Sequence, residues 1–344
     1  MAIEIIATGR AVPARRVTND ELATRLDTSD EWIRSHTGIG SRHIADDDVA
    51  ASDLATEAAK AALATLADHD PSLGGSIEAA ALTLDLILVA TATADYIGFP
   101  STACLVQDRI GAKRAGAMDV AAGCTGFVYA LDAAAGIITM GKSRKRALVI
   151  GAEVLTRIAD WSDRSTCVLF GDGAGAVIIE KTVAPVEGSG KRGLLRSVLG
   201  ADGSGSEHLI MRRGGTRFPI KKGEVMDSPP HLEMNGQAVY NFAVKAVAET
   251  IKQLLEEEGI GVDELAWIVP HQANARIVQA AAKRLRISEE KFFLNIEEYA
   301  NTSAASIPLA LDELARAGKL KRGDLIMTVG FGAGLTYAGN LIVW

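Results

Sequence analysis

The chain alternates short, mostly apolar runs with longer alanine-rich runs of helical period. The short runs are LILVA (86–90), AMDVA (117–121), ALVIGA (147–152), GAVIIE (175–180), WIVP (267–270), LIMTVG (325–330) and NLIVW (340–344). They lack the polar alternation of a half-exposed strand, so each predicts a central strand covered on both faces. Apolar residues recur at helical spacing in SDLATEAAKAALATLA (52–67), FVYALDAAAGIITMG (127–141), GQAVYNFAVKAVAETIKQLLEEEG (236–259) and ANARIVQAAAKRLR (273–286). Strands alternating with helices predict α/β layers.

The order of these elements repeats. LILVATA in the first half precedes WIVPHQA by about 180 residues, and YALDAAAGIITMGKSRKRALVIGA is similar to LALDELARAGKLKRGDLIMTVGFG. Both stretches close on a glycine turn and a short strand, GDGAGAVII and GAGLTYAGNLIV. The reading is an internal duplication, with lobes 1–185 and 186–344 joined near 180–193. A pseudo-twofold would bring corresponding strand ends to one central place.

Composition sharpens this picture in three ways. With 344 residues, 48% hydrophobic and 23% charged, the chain has material for a large core and two lobes. No run of about 18 apolar residues predicts a membrane span, and the start MAIEIIATGRAVPARRV lacks the pattern of a signal peptide. Three widely spaced cysteines without a C-x-x-C pair point to free thiols in the cytoplasm rather than disulfides or a metal site. The net charge of −7 argues against general nucleic-acid binding. The basic clusters KSRKR (142–146) and KRLR (283–286) read as solvated helix ends.

The candidate chemistry sits at strand ends. Cys124, in MDVAAGCTGFVYAL, follows an apolar strand, precedes a helix and is flanked by Gly123 and Gly126. A cysteine at a helix N-terminus feels the positive end of the dipole, which favours thiolate. The bland alternative is a small core residue. His271, in WIVPHQAN, stands just past a buried strand. Asn301, in NTSAAS, lies within a few residues of the position in the second repeat that Cys124 holds in the first; alone, it would read as a helix cap. A thiolate accepts an acyl group from a thioester, while a neutral His and an Asn amide both donate hydrogen bonds to a developing oxyanion. The same three residue types also serve in cysteine hydrolases, and the types alone do not separate the two chemistries.

The motifs separate them. TSDEWIRSHTGI (28–39), GFPSTAC (98–104), DVAAGCTGF (119–127), DRSTCVLFGDGAGA (163–176), VPHQANARI (269–277), NTSAASIPLAL (301–311) and GFGAGLTYAG (330–339) occur in an order that resembles the β-ketoacyl-acyl-carrier-protein synthase III family of the thiolase-like superfamily, over nearly the whole chain. The resemblance implies a duplicated, five-layered α/β/α/β/α fold and a homodimer. It implies decarboxylative condensation of an acyl-CoA with malonyl-acyl-carrier protein in type II fatty acid synthesis, with no metal and no cofactor beyond CoA thioesters. A related acyltransferase or condensing enzyme of specialised metabolism is the alternative.

Residue by residue, the resemblance implies Cys124, His271 and Asn301 as the catalytic set, and the backbone N–H groups of Cys124 and Ala333 as an oxyanion hole. It places Trp32, Arg34, Arg164, Asn274 and Arg276 around CoA and its pantetheine. Phe99, Leu155, Leu169 and Phe331 would surround the acyl group, Phe99 reaching into the partner subunit. Arg276, Lys283, Arg284 and Arg286 would dock the acidic carrier. His36 and Asn241 stand where many members carry Arg and Lys. The stretch 67–83 reads as an inserted surface excursion.

Overall fold

The apolar runs form strands, and the two repeats form two sheets. The structure, a computed structural model, describes residues 1–182 and 191–344. The 185/186 boundary and most of the junction expected over 180–193 fall outside the described residues. In chain order the first half holds β1 (Ala2–Ala11), β2 (Arg16–Thr18), α1 (Asn19–Ala23), α2 (Asp30–Thr37), β3 (Ser41–His43), α3 (Ala51–His69), α4 (Ile77–Ala81), β4 (Leu86–Ala90), α5 (Thr102–Arg109), β5 (Gly116–Val120), α6 (Gly126–Met140), β6 (Arg146–Val154) and β7 (Asp172–Thr182). The second half holds β8 (Gly193–Ala201), β9 (Leu209–Met211), β10 (Leu232–Met234), α7 (Gly236–Glu258), β11 (Leu265–Pro270), α8 (Ala275–Leu285), α9 (Ile296–Tyr299), α10 (Ser306–Arg316), β12 (Leu325–Gly332) and β13 (Thr336–Val343).

The sheet orders display the duplication. The first sheet runs β1-β7-β6-β4-β5 and the second β8-β13-β12-β11. In both, the first three strands pair antiparallel and the third pairs parallel with the fourth. Where the first sheet adds β5, the second keeps only a parallel bridge from Ile268 to Phe292. α3 and α5 cover the outer face of the first sheet, α6 and α10 lie between the sheets, and α7 and α8 cover the second sheet. These are the five layers expected.

The helix ends follow from local chemistry. Asn235 caps α7 by accepting from the Ala238 N–H at 3.1 Å, and Gly259 ends it in the left-handed region at φ +69°. Asn274 caps α8 by accepting from the Arg276 N–H at 2.8 Å, which moves the start from the expected 273 to 275. The segment Gly123–Met140 is apolar and long enough to cross a membrane by composition. Its place explains that composition: Phe127, Leu131 and Ile138 of α6 are buried between the two sheets. Each such side chain contributes about 1.5–3 kcal/mol by leaving water.

Two expectations change. AMDVA is not a central strand: β5 is the sheet edge, and none of its five residues is buried. The 67–83 excursion is only partly superficial, since Ala80 and Ala81 of α4 are buried against α3. Strands β1 and β8 escape the apolar pattern because both lie at sheet edges and mix half-buried positions among buried ones.

Candidate active site

The ends of β5 and β12 meet backbone to backbone, and Cys124 stands at that meeting. The chain leaves β5 and enters α6 through a 3₁₀ turn, Gly123–Thr125. Gly123 holds φ +52°, which glycine adopts without strain. A Cβ at Gly332 would stand 2.7 Å from Cys124 Cβ and 2.9 Å from its N, so no side chain fits there. The Thr125 and Thr336 hydroxyls, 2.5 Å apart, tie the two turns together.

Cys124 is half-buried, at the floor of a cavity of about 360 Å³. Its own N–H and that of Ala333 both lower the thiol pKa, as does the Ser303 hydroxyl. Burial opposes them and wins, pushing the thiol up to about 11. The expected lowering at a helix terminus is therefore corrected: burial outweighs the donors and favours the protonated thiol.

His271 is 1% exposed and lines the same floor. Its backbone N–H donates to Val329 O at 2.8 Å, extending the β11–β12 ladder by one residue. Its Nδ1 lies 2.7 Å from Ser306 Oγ, which also accepts from the Gln272 N–H at 3.3 Å. Among the described residues the Ser306 hydroxyl has no other acceptor, so it donates to Nδ1. Nε2 then carries the ring hydrogen and points a donor at the cavity. Burial lowers the imidazole pKa to about 3, so the ring is neutral. Its edge packs on Phe331, with ring centroids 5.1 Å apart.

Asn301 is clasped from three sides. Its N–H donates to Leu169 O at 2.9 Å, its carbonyl accepts from the Gly171 N–H at 3.0 Å, and its Oδ1 accepts from the Ser303 N–H at 2.8 Å. That last bond assigns the amide, leaving the Nδ2 hydrogens for the cavity. Ala300 (φ +57°, ψ −156°) and Ser303 (φ +47°) flank it at positive φ, which non-glycine residues rarely adopt. Each such residue costs about 1 kcal/mol or more, which the surrounding packing must offset. The floor thus offers two side-chain donors and, at the sulfur, two backbone donors.

The neutral histidine has a consequence for stability. In the unfolded chain His271 protonates below about pH 6.5, but in the folded protein only near pH 3. Unfolded chains bind the extra proton in that window, so stability should fall as pH drops from about 6.5 towards 3. Urea midpoints at pH 7 and pH 5 should differ less for His271→Asn than for the wild type. An identical pH dependence in both would remove the buried imidazole as a contributor.

Comparison with known proteins decides the family. The family described as 3-Oxoacyl-[acyl-carrier-protein (ACP)] synthase III matches residues 118–203, and its C-terminal counterpart matches 255–344. The Beta-ketoacyl-[acyl-carrier-protein] synthase III of Caldanaerobacter subterraneus subsp. tengcongensis is 45% identical over 346 residues, covering 100% of this chain and 98% of that protein. The chain belongs to the 3-oxoacyl-[acyl-carrier-protein] synthase III family. The crystal structure of the synthase III from Aquifex aeolicus VF5 superimposes with a TM-score of 0.85 at 42% identity, covering 100% of both chains. The priming β-ketosynthase of the R1128 polyketide pathway gives a TM-score of 0.85 at 33% identity, covering 99% of this chain and 96% of that one. Synthase III membership makes this chain a condensing enzyme of the acyltransferase type. It performs the initiating condensation of acyl-CoA with malonyl-acyl-carrier protein in fatty acid synthesis.

The remaining residues singled out in the sequence divide into two groups. Trp32, Asn274, Leu155, Leu169 and Phe331 line the cavity with the floor residues. At its mouth the Trp32 indole, 39% exposed, stacks on the His36 ring with centroids 4.4 Å apart. Asn274 Nδ2 donates to His36 O at 3.1 Å. Arg276, Lys283, Arg284 and Arg286 are exposed along and just past α8, Arg284 4.0 Å from Glu249.

The second group lies elsewhere. Arg34 turns away from the cavity: its Nε bonds both oxygens of Asp30 at 2.9 Å and its Nη1 bonds Glu297 at 2.7 Å. Arg164 pairs with Asp27, neither with Asp163 nor with Asp172, and does not line the cavity. Phe99 is 87% exposed and does not line the cavity of its own chain. Reading the sequence missed one wall altogether, the β9–β10 hairpin, which contributes Ile210, Met211, Leu232 and Met234. Strands of three residues leave no periodicity to detect.

Proposed function

We propose that Cys124 receives the acyl group from acyl-CoA as a thioester, and that His271 and Asn301 then hold the carbonyl oxygen of the malonyl thioester. Two donors on that oxygen stabilise the enolate formed as CO₂ leaves, and the enolate carbon attacks the acyl-cysteine carbonyl. The N–H groups of Cys124 and Ala333 take the charge on that second oxygen. The observation that carries the reading is the convergence of one thiol, one neutral imidazole and one oriented amide on a single apolar-walled floor.

The same proposal sets CoA at the mouth, between Trp32, His36, Asn274 and Arg276. Arg34 and Arg164 take part only if substrate draws them from Asp30, Glu297 and Asp27. Arg276, Lys283, Arg284 and Arg286, along and just past α8, form the docking face for an acidic carrier. The chain acts as a homodimer in the cytoplasm. The uncovered β5 edge, with exposed Tyr96, Ile97, Phe99 and Met118, supports the dimer, and Phe99 reaches the partner's acyl group. The three free cysteines support the compartment.

A priming role in specialised metabolism is the second reading, favoured by the likeness to the R1128 priming enzyme. One experiment covers both. The protein is mixed with a panel of acyl-CoAs, examined by native and denaturing mass spectrometry, and then given malonyl-acyl-carrier protein at low and high salt. The expected result is a dimer carrying an acyl adduct at Cys124, discharged to a ketoacyl-carrier product more slowly at high salt. An adduct that persists with malonyl-carrier but moves to another acceptor would overturn the condensing assignment of these residues.

A further inference from the structure

Arg42 is 0% exposed, and no step above uses it. It stands on β3 opposite Val17 of β2, where Val17, Leu22 and Val168 pack in one apolar cluster. Burial lowers its pKa to about 10, so it is still a cation near neutrality. A buried cation is costly unless it is paired. Among the described residues Arg42 makes no ion pair. Its Nη1 donates to Asn19 Oδ1 at 2.7 Å and to Val17 O at 3.4 Å, its Nη2 donates to Val168 O at 2.8 Å, and its Nε has no partner. The counter-charge is one amide away, since Asn19 Nδ2 donates to Asp30 Oδ1 at 2.8 Å.

The residue after Val168 begins the clasp on Asn301. Leu169 O accepts from the Asn301 N–H at 2.9 Å, and the Gly171 N–H donates to Asn301 O at 3.0 Å. The main chain of Asn301 thus bonds to residues 169 and 171, and Phe170 bridges it in parallel. Gly171 packs against Arg42 as well. A Cβ there would stand 3.2 Å from Arg42 Cβ and 2.5 Å from Tyr299 O, so Arg42, this stretch and the chain entering Asn301 meet with no room for a methyl group. The Ser303 N–H turns the Asn301 amide, but residues 168–171 set where that amide stands.

We propose that Arg42 is a positioning residue for the Asn301 donor. It fixes Val168 O, the clasp over 169–171 carries that fixed point to the main chain at 301, and the Nδ2 hydrogens stand ready for the malonyl thioester oxygen. A donor stabilises an enolate only if it is placed beforehand, and a displacement of about 1 Å costs on the order of a hundredfold in rate. Arg42 does not line the cavity, so it acts through the clasp. Cys124 is held instead by Gly123, Gly332 and the Thr125–Thr336 contact, and its acylation does not need Arg42. The inference rests on the reading above that Asn301 serves decarboxylation.

The test uses the full chain as wild type, Arg42→Lys, Arg42→Met, Asn301→Asp and the double variant Arg42→Lys/Asn301→Asp. Lysine keeps the charge but loses the rigid fork that holds Asn19 and Val168 together. Two rates are measured on each preparation: adduct formation from the acyl-CoA that best acylates the wild type, and CO₂ release from malonyl-acyl-carrier protein. Arg42→Lys should release CO₂ about tenfold and Arg42→Met about a hundredfold more slowly, with both acylating within a few-fold of the wild type. The double variant should be no slower than Asn301→Asp alone, because Arg42 acts through a donor already removed. Equal loss of both half-reactions, a double variant slower by the product of the two single losses, or wild-type CO₂ release in both Arg42 variants would each overturn the inference. If Asn301→Asp itself releases CO₂ at the wild-type rate, the reading of Asn301 fails and takes this inference with it. If Asn301→Asp is slow and the Arg42 variants are not, the inference fails alone. If Arg42→Met does not fold, Arg42→Lys decides.

Discussion

Alanine at position 124 is expected to leave a folded protein that forms no acyl adduct and condenses about a thousandfold more slowly, or worse. The substitution removes only the sulfur. The backbone at 124 is set by Gly123, Gly332 and the Thr125–Thr336 contact, none of which needs that atom. The two N–H donors therefore stay in place with nothing to serve. The other cysteines offer no substitute: Cys104 is exposed on α5, Cys167 is buried, and neither lines the cavity. Release of CoA from acyl-CoA, followed with intact mass, measures the loss. Wild-type CoA release by Cys124→Ala, with or without an adduct elsewhere, would sink the assignment of the nucleophile.

Removing the two side-chain donors should split the reaction in the other direction. His271→Ala and Asn301→Asp are expected to acylate within a few-fold of the wild-type rate but to decarboxylate malonyl-acyl-carrier protein about 10²–10³-fold more slowly. Aspartate is the better probe at 301. It keeps an acceptor for the Ser303 N–H, and so the positive-φ turn, while deleting the donor. The double variant should be little worse than either single one, because both donors serve one oxygen. Release of CO₂ and formation of adduct are measured on the same samples. Equal loss of both half-reactions in His271→Ala would instead make His271 the base for the thiol, against its low pKa and its Nδ1 bond to Ser306.

Much of this was legible in the sequence because buried parallel strands write themselves as unbroken apolar runs. LILVA and ALVIGA fall on β4 and β6, whose residues are all buried. The repeat of strand and helix order predicted two sheets, and that order also brought Cys124, His271 and Asn301 to corresponding ends. The misses have physical causes. AMDVA has the residue types of a core strand, but whether a strand lies at an edge depends on the sheet, not on the strand. The thiol pKa was misjudged because a helix terminus is a local feature, whereas desolvation depends on everything folded around it. Arg34 and Arg164 kept their motif positions, yet their guanidinium groups turn to carboxylates from α2, from the chain just before it and from α9.

The floor and walls of the cavity are made of different material. At the floor, Gly123, Cys124, Gly332 and Ala333 press main chain against main chain, and a single added methyl at 332 has no room. The walls are flexible hydrophobes such as Met211, Leu232 and Met234, carried on a two-stranded ribbon outside both large sheets. Exchanging wall residues can therefore resize the chamber without moving the floor. Backbone contacts set where the reacting side chains stand, and the ribbon's side chains set how much room lies beside them.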